Sequence, residues 1–321
     1  MRILIVTPAP RGSRAGNRTT AVRWARILRA EGHQVSVGTG YDGASTDLMV
    51  ALHAWRSADA VRCYRDRHPG RALIVSLTGT DLYRFLDTDR EITMRSLELA
   101  DRIVVLHESA SASVPAALRP KVRVILQSAA KIARARPLTG YFDVCVIGHL
   151  RDEKDPLRAA YAVRTVPADS CLRVLHLGKA HSESWAKAAL TEMEGNARYI
   201  WRGEVPHRTV RQVLARSRLM VLSSRMEGGA NVISEAIAAG LPVVASRIEG
   251  SVGLLGPNYP GFYPVGDTPA LRAMLVQAER DSGFYAGLEE AVALRAPLFD
   301  PQRERQAWRS LLAEMQPLIK A

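Results

Sequence analysis

Between Leu219 and Ser246 the sequence spells out one strand–loop–helix–strand unit, and that unit constrains the whole chain to a parallel α/β architecture. Leu219 to Ser223 is a short apolar run of buried-strand type, and Arg225 to Ala230 forms a loop carrying Glu227 and the Gly228-Gly229 pair. Asn231 is a good N-cap for a helix from Val232 to Ala239; Gly240 suits its C-terminal exit and Pro242 prevents continuation. Val243 to Ser246 is the next strand. The loop opens onto a helix N-terminus, where N–H groups and about half a positive charge favour an anion. Glu227 and Glu235 lie beside that anion site, and carboxylates accept hydrogen bonds from hydroxyls. A ligand with both features is a nucleotide sugar. On pattern alone, an ordinary βαβ turn with a solvated Glu235 fits equally well.

The rest of the chain repeats the rhythm. Strands are expected at Arg2–Val6, Gln34–Val37, Leu48–Leu52, Leu73–Leu77, Arg102–Leu106 and Val122–Leu126. Helices are expected at Thr19–Glu31, Ser57–His68, Arg90–Leu99 and Glu108–Leu118. The loop from Ala9 to Arg18 holds Gly12, Gly16 and the basic residues Arg11, Arg14 and Arg18, a plausible phosphate cradle at the C-terminal end of a strand. It has neither dinucleotide-type nor P-loop glycine spacing. The strand at Leu73–Leu77 empties into Thr78-Gly79-Thr80-Asp81, where open α/β sheets place chemistry, although Asp81 also reads as a helix cap.

Lys131 to Gly140 is basic, contains Pro137 and ends in Gly140, and reads as a linker. A second series of strands follows at Asp143–Ile147, Leu172–Leu177, Tyr199–Arg202 and Leu219–Ser223, alternating with helices at Ser184–Met193 and His207–Arg216. Helices fill Thr268–Ala293 and Gln302–Met315. The expected organisation is a domain over residues 1–136, a second over 137–298, and a C-terminal helix over 299–321.

The 321 residues suffice for two cores, and the 47% hydrophobic and 24% charged fractions are those of a globular chain. Forty-four Lys and Arg against 32 Asp and Glu leave a formal charge of +12, which suits an anionic partner. Neither a basic stripe nor an aromatic stacking platform stands out, so no nucleic-acid partner is expected. Cys63, Cys145 and Cys171 are odd in number and lack metal spacing, and the expected state is reduced, in the cytoplasm. Met1 leads directly into a strand, so no signal peptide is expected, and no apolar run approaches a membrane span.

Glu227 and Glu235, separated by seven residues, with the intervening Gly-Gly, the Glu235-Ala236 pair, Gly240 and Pro242-Val243-Val244, resemble the E-x7-E signature of family-4 glycosyltransferases. That resemblance implies the GT-B fold: two Rossmann-like domains, a central cleft and a C-terminal crossover helix. It implies that Glu227 contacts donor-sugar hydroxyls, that Glu235 holds the ribose, and that Gly228, Gly229, Ala230, Asn231 and Val232 face the sugar and diphosphate. It also implies that the first loop of the second domain, Gly148-His149-Leu150-Arg151-Asp152-Glu153-Lys154, carries the basic residues of the diphosphate site. His149 stands where the family has arginine, so the choice among His149, Arg151 and Lys154 stays open. Arg151, Lys154 and Glu227 are the catalytic candidates, helping UDP depart. Gly16-Asn17-Arg18-Thr19-Thr20, Thr78 to Tyr83 and Gly250 to Gly256 resemble, more closely, bacterial selenosugar synthases. That implies a UDP-sugar such as UDP-N-acetylglucosamine as co-substrate, selenophosphate as a small anionic acceptor, and no metal or other cofactor. Arg14, Gly16, Asn17, Arg18, Thr80 and Asp81 are the acceptor-side candidates. No stable membrane association is expected. An alcohol-accepting UDP-sugar transferase and a nucleic-acid-binding protein are the alternatives.

Overall fold

The apolar runs become strands buried on both faces. Leu48–Leu52 and Ala72–Ser76 are buried at every position, because helices cover both sides of a parallel sheet. The structure, a computed structural model, describes residues 1–320; residue 321, the end of the expected C-terminal segment, lies outside the described residues.

The first sheet has six parallel strands: β1 (Arg2–Val6), β2 (Gln34–Gly38), β3 (Leu48–Leu52), β4 (Ala72–Ser76), β5 (Arg102–Val105) and β6 (Val122–Val124). Their spatial order is β2-β1-β3-β4-β5-β6. The second has β7 (Phe142–Ile147), β8 (Leu172–Leu177), β9 (Tyr199–Trp201), β10 (Leu219–Leu222), β11 (Val243–Ser246) and β12 (Phe262–Tyr263), in the order β12-β11-β10-β7-β8-β9. Every pairing in both is parallel. These are two Rossmann-like α/β halves. The strand order reverses between β1 and β3 in one and between β7 and β10 in the other.

The first unit contains Met1–Gln127, Gly228–Ala230 and the C-terminal segment from Pro301; the second contains Ser128–Glu227 and Asn231–Asp300. In the first unit, the helix Pro301–Lys320 brings Trp308 against Trp24 of helix Gly16–Ala30, edge to face at 4.8 Å. Both indoles are fully buried, and Trp24 Nε1 donates to Glu304 Oε1 at 2.9 Å. Arg305 and Arg309 of the same helix pair with Glu31, and Arg102 and Arg123 with Glu314.

The first compact unit runs to Gln127 and the second begins at Ser128. The basic segment after Gln127 is tied into the second unit by its backbone: Ala129 N–H bonds Phe299 O, Ile132 N–H bonds Ala238 O and Ala135 N–H bonds Ala215 O. The helix expected over 108–118 is broken into Ala110–Ser113 and a 3-10 segment, Ala116–Lys121. Pro115 forces Val114 into an extended conformation there (ψ 136°). The helix expected from Thr19 begins at Gly16, so Gly16, Asn17 and Arg18 form its first turn instead of belonging to the preceding loop.

Candidate active site

In an open parallel sheet, ligands bind beyond the C-terminal strand ends where the strand order reverses. In the second unit the loops that leave β7 and β10 flank that point. The first loop carries His149, Arg151 and Lys154, and the second carries Glu227. Lys154 Nζ donates to Glu227 Oε1, joining the two loops across the reversal. Ser224 Oγ also donates to Glu227 Oε1, at 2.6 Å. Glu227 and Lys154 keep 10% and 19% side-chain exposure, so the pair is sheltered yet reachable. Ser223 Oγ holds the carbonyls of Lys154 and Asp155 at 3.1 and 2.9 Å, and Arg225 N–H bonds Glu153 O at 2.8 Å. The two loops therefore form one hydrogen-bonded body.

His149 is half-buried. Its Nδ1 accepts the Lys179 N–H at 3.1 Å and its ring lies 5.1 Å from that of His181. Burial, then the His181 charge, holds its pKa below the usual histidine value, and with Nδ1 accepting, the neutral ring carries its proton on Nε2. Arg151 Nε lies 3.8 Å from Glu153 Oε2. Gly178 makes close approach possible here: a Cβ on it would sit 1.8 Å from Gly148 O. Gly250 does the same for the other loop, where a Cβ would sit 2.1 Å from Glu227 O.

Asn231 and Val232 open the helix Asn231–Ala238, and Glu235 lies one turn further on. Glu235 Oε1 is 3.0 Å from His207 Nε2, and that hydrogen bond raises the His207 pKa. Ile237 and Ala236 carbonyls close the helix by accepting from Gly240 and Leu241, with Gly240 at φ +60°. Gly228, Gly229 and Ala230 group with the first unit.

On the acceptor side, Gly16, Asn17 and Arg18 supply the first turn of a 15-residue helix that starts beside the reversal between β1 and β3, with the exposed Arg14 just before it. Thr80 is half-buried after β4. Asp81 is fully buried, and its carboxylate accepts the N–H groups of Ala54 (3.0 Å), Thr78 (2.8 Å) and Gly79 (2.8 Å). These backbone N–H groups engage its lone pairs, so Asp81 shapes this loop.

Sequence reasoning missed His53 and His107. Both are buried at the ends of β3 and β5 and each faces a hydroxyl from the segment after β4: His53 faces Thr80 at 2.9 Å, and His107 faces Tyr83 at 2.9 Å. Burial holds both pKa values low, that of His107 at about 4. The signal was present as a lone histidine closing each apolar strand, at the sheet edge where chemistry sits. Among the described residues, no cluster of three or more His, Cys, Asp or Glu is arranged to hold a metal ion, and no helix is long and apolar enough to cross a membrane.

Residues 129–282 match the family model described as glycosyl transferases group 1. The protein is a glycosyltransferase. Its matched segment covers the loops after β7 and β10, with Lys154, Glu227 and Glu235 inside it. Across the whole chain the fold is that of GT-B enzymes. HepE from Anabaena, solved with UDP and glucose, is 16% identical with a TM-score of 0.78, covering 98% of this chain and 100% of HepE. Sucrose-phosphate synthase from Thermosynechococcus elongatus is 16% identical with a TM-score of 0.77, covering 98% and 99%. A glycosyltransferase from Rickettsia africae is 12% identical with a TM-score of 0.70, covering 99% and 98%. At these identities the likeness of this glycosyltransferase to solved structures is one of fold. No curated protein sequence matches the chain.

Proposed function

We propose that this glycosyltransferase moves a sugar, N-acetylglucosamine, from a UDP-sugar to selenophosphate, forming a carbon–selenium bond at the anomeric carbon as the bond to UDP breaks. The observation that carries the donor half is the Lys154–Glu227 pair across the β7/β10 reversal, with Glu235 one turn into the helix that follows the Glu227 loop. A carboxylate pair suits sugar and ribose hydroxyls, and Lys154, Arg151 and the N–H groups at Asn231 and Val232 suit a diphosphate. HepE has been solved with UDP-glucose, which supports a uridine-linked donor. In this reading Lys154 leaves Glu227 for the departing phosphate as negative charge develops there, while Glu227 turns to the sugar. Stabilisation of that kind from preorganised charges is worth about 3–4 kcal/mol per donor.

The acceptor half is supported by the formal charge of +12 and by the basic approach to helix Gly16–Ala30, where Arg11, Arg14 and Arg18 gather. A selenophosphate selenium is already a strong nucleophile at neutral pH, so binding by positive groups matters more than a general base. Incubation with UDP-N-acetylglucosamine and either selenophosphate, thiophosphate or phosphate, followed by mass spectrometry, tests it. The expected result is UDP release coupled to a selenium-containing sugar. UDP release that ignores selenophosphate and appears only with an alcohol would overturn the acceptor and leave the glycosyltransferase.

A further inference from the structure

The residues after β3 and β4 form a small set that the donor chemistry does not use. His53 follows β3, beside the strand-order reversal, and is a non-glycine residue at φ +75°. That left-handed conformation is costly for a residue with a side chain and is kept only where the surroundings over-determine it. Here they do. Leu52 O is bonded by Ser57 Oγ at 2.7 Å, and Ala54 N–H is held by Asp81 at 3.0 Å. The ring is 2% exposed.

The hydrogen bonds fix its tautomer. Nδ1 accepts the Arg56 N–H at 3.2 Å, so in the neutral ring the proton is on Nε2. Nε2 lies 2.9 Å from Thr80 Oγ1 and therefore donates to it. A hydroxyl whose oxygen is accepting from a histidine must send its own hydrogen elsewhere. Burial keeps the ring neutral, against the opposing pull of Asp81 at 3.9 Å. His107 is built the same way on the far side of β4, with Nδ1 accepting the Ala110 N–H at 3.2 Å. The segment between them, Asp81–Phe85, is a π-helical turn, a form frequent at functional sites.

A second, independent observation lies beside the first. Trp55 Nε1 is shielded from solvent and has no hydrogen-bond partner in the structure. Its ring is immobilised by stacking on Phe85 at 4.1 Å and 8°, and Phe85 in turn lies 5.7 Å from the His53 ring. A buried indole N–H left unpaired costs free energy that an acceptor atom on a ligand would recover. Arg84 stands 5.5 Å from the Phe85 ring centre and Arg56 is exposed beside the set, so two cations accompany the buried Asp81 carboxylate.

We propose that His53 is a positioning residue that turns the Thr80 hydroxyl into a hydrogen-bond donor toward an oxyanion bound beyond β3 and β4, with the Trp55 indole N–H as the second donor. The ligand class is a small tetrahedral anion of the phosphate type. The inference rests on the reading of the first unit as the side that takes an anionic acceptor.

The probe is thiophosphate, used with the full chain. In protein carrying ¹⁵N-labelled tryptophan, thiophosphate is expected to shift the Trp55 indole resonance, assigned with Trp55→Phe, and to do so far less in Thr80→Val. In turnover with UDP-N-acetylglucosamine, Thr80→Val is expected to raise KM for thiophosphate about tenfold while the UDP Kd stays unchanged. His53→Leu should match it, the double variant should add no further loss, and His53→Gln, which keeps a donor near the Nε2 position, should recover most of it. If His53→Leu does not fold, Thr80→Val and the resonance still decide. A shifted resonance without any turnover would keep this anion site and sink the selenosugar reading. An unmoved Trp55 resonance, or a Thr80→Val enzyme with an unchanged KM for thiophosphate, overturns the inference.

Discussion

At the scale of single residues, both candidate donor carboxylates are already engaged: Glu227 by Lys154 and Glu235 by His207. In the proposed function a nucleotide has to displace these partners, and the second displacement depends on pH. Glu235 raises the His207 pKa above the usual histidine value, with Arg211 opposing. The pair's contribution to stability is thus fully present below the unfolded pKa of about 6.5 and is lost as pH rises through the raised folded value. Loss of the His207 charge frees Glu235 for ribose hydroxyls, so UDP should bind more tightly as pH rises through that window. His207→Ala is expected to abolish this dependence and to give high-pH affinity throughout, as read by titration calorimetry at several pH values; an unaltered pH profile would show that the two residues do not compete. His207 was legible only as a helix residue, because its partner sits 28 positions away and spacing carries no information about such a pair.

At the scale of elements, the strands were legible because parallel strands are buried on both faces and read as continuous apolar runs, as Leu48–Leu52 does. The Gly-Gly loop, the Asn231–Ala238 helix and its Gly240 exit were legible for the same local reasons. The π-helical turn at Asp81–Phe85 was not, since its shape follows from a buried carboxylate collecting backbone N–H groups of Ala54, which is distant in sequence. Nor was the proximity of Lys154 to Glu227, which follows from strand order. Each loop beside the β7/β10 reversal is approached closely by a glycine of its outer neighbour, Gly178 at Gly148 O and Gly250 at Glu227 O. Gly250→Ala should collide with Glu227 O and displace that loop, costing about 1–3 kcal/mol of stability by overpacking. UDP affinity should fall with it, roughly tenfold for each 1.4 kcal/mol carried into the site. Thermal melts with and without UDP check this, and wild-type behaviour in both would mean the loop has slack that the backbone contact denies.

At the scale of the whole molecule, the helix from Pro301 belongs to the first unit although it follows the second in sequence. The helix from Pro301 covers Trp24 and Leu28 with Trp308, Leu311 and Met315, all buried. A helix over Gln302–Met315 was readable from the sequence, while its return to the first domain came only from the family resemblance, because Trp24 and Trp308 are joined only by topology. Trp308→Ala should destabilise the protein by about 3–5 kcal/mol, seen as a lower urea midpoint, while leaving the residues around Glu227 untouched. A variant as stable as wild type would show that this helix is not part of the first unit's core.

The most direct test of the account is calorimetric titration of UDP and UDP-N-acetylglucosamine into the wild-type enzyme and into Glu235→Ala. The account predicts saturable binding by the wild type, and affinity about tenfold or more weaker in Glu235→Ala through loss of charge-assisted hydrogen bonds to the ribose. No heat with any uridine-linked sugar, or equal affinity in the two proteins, would contradict it.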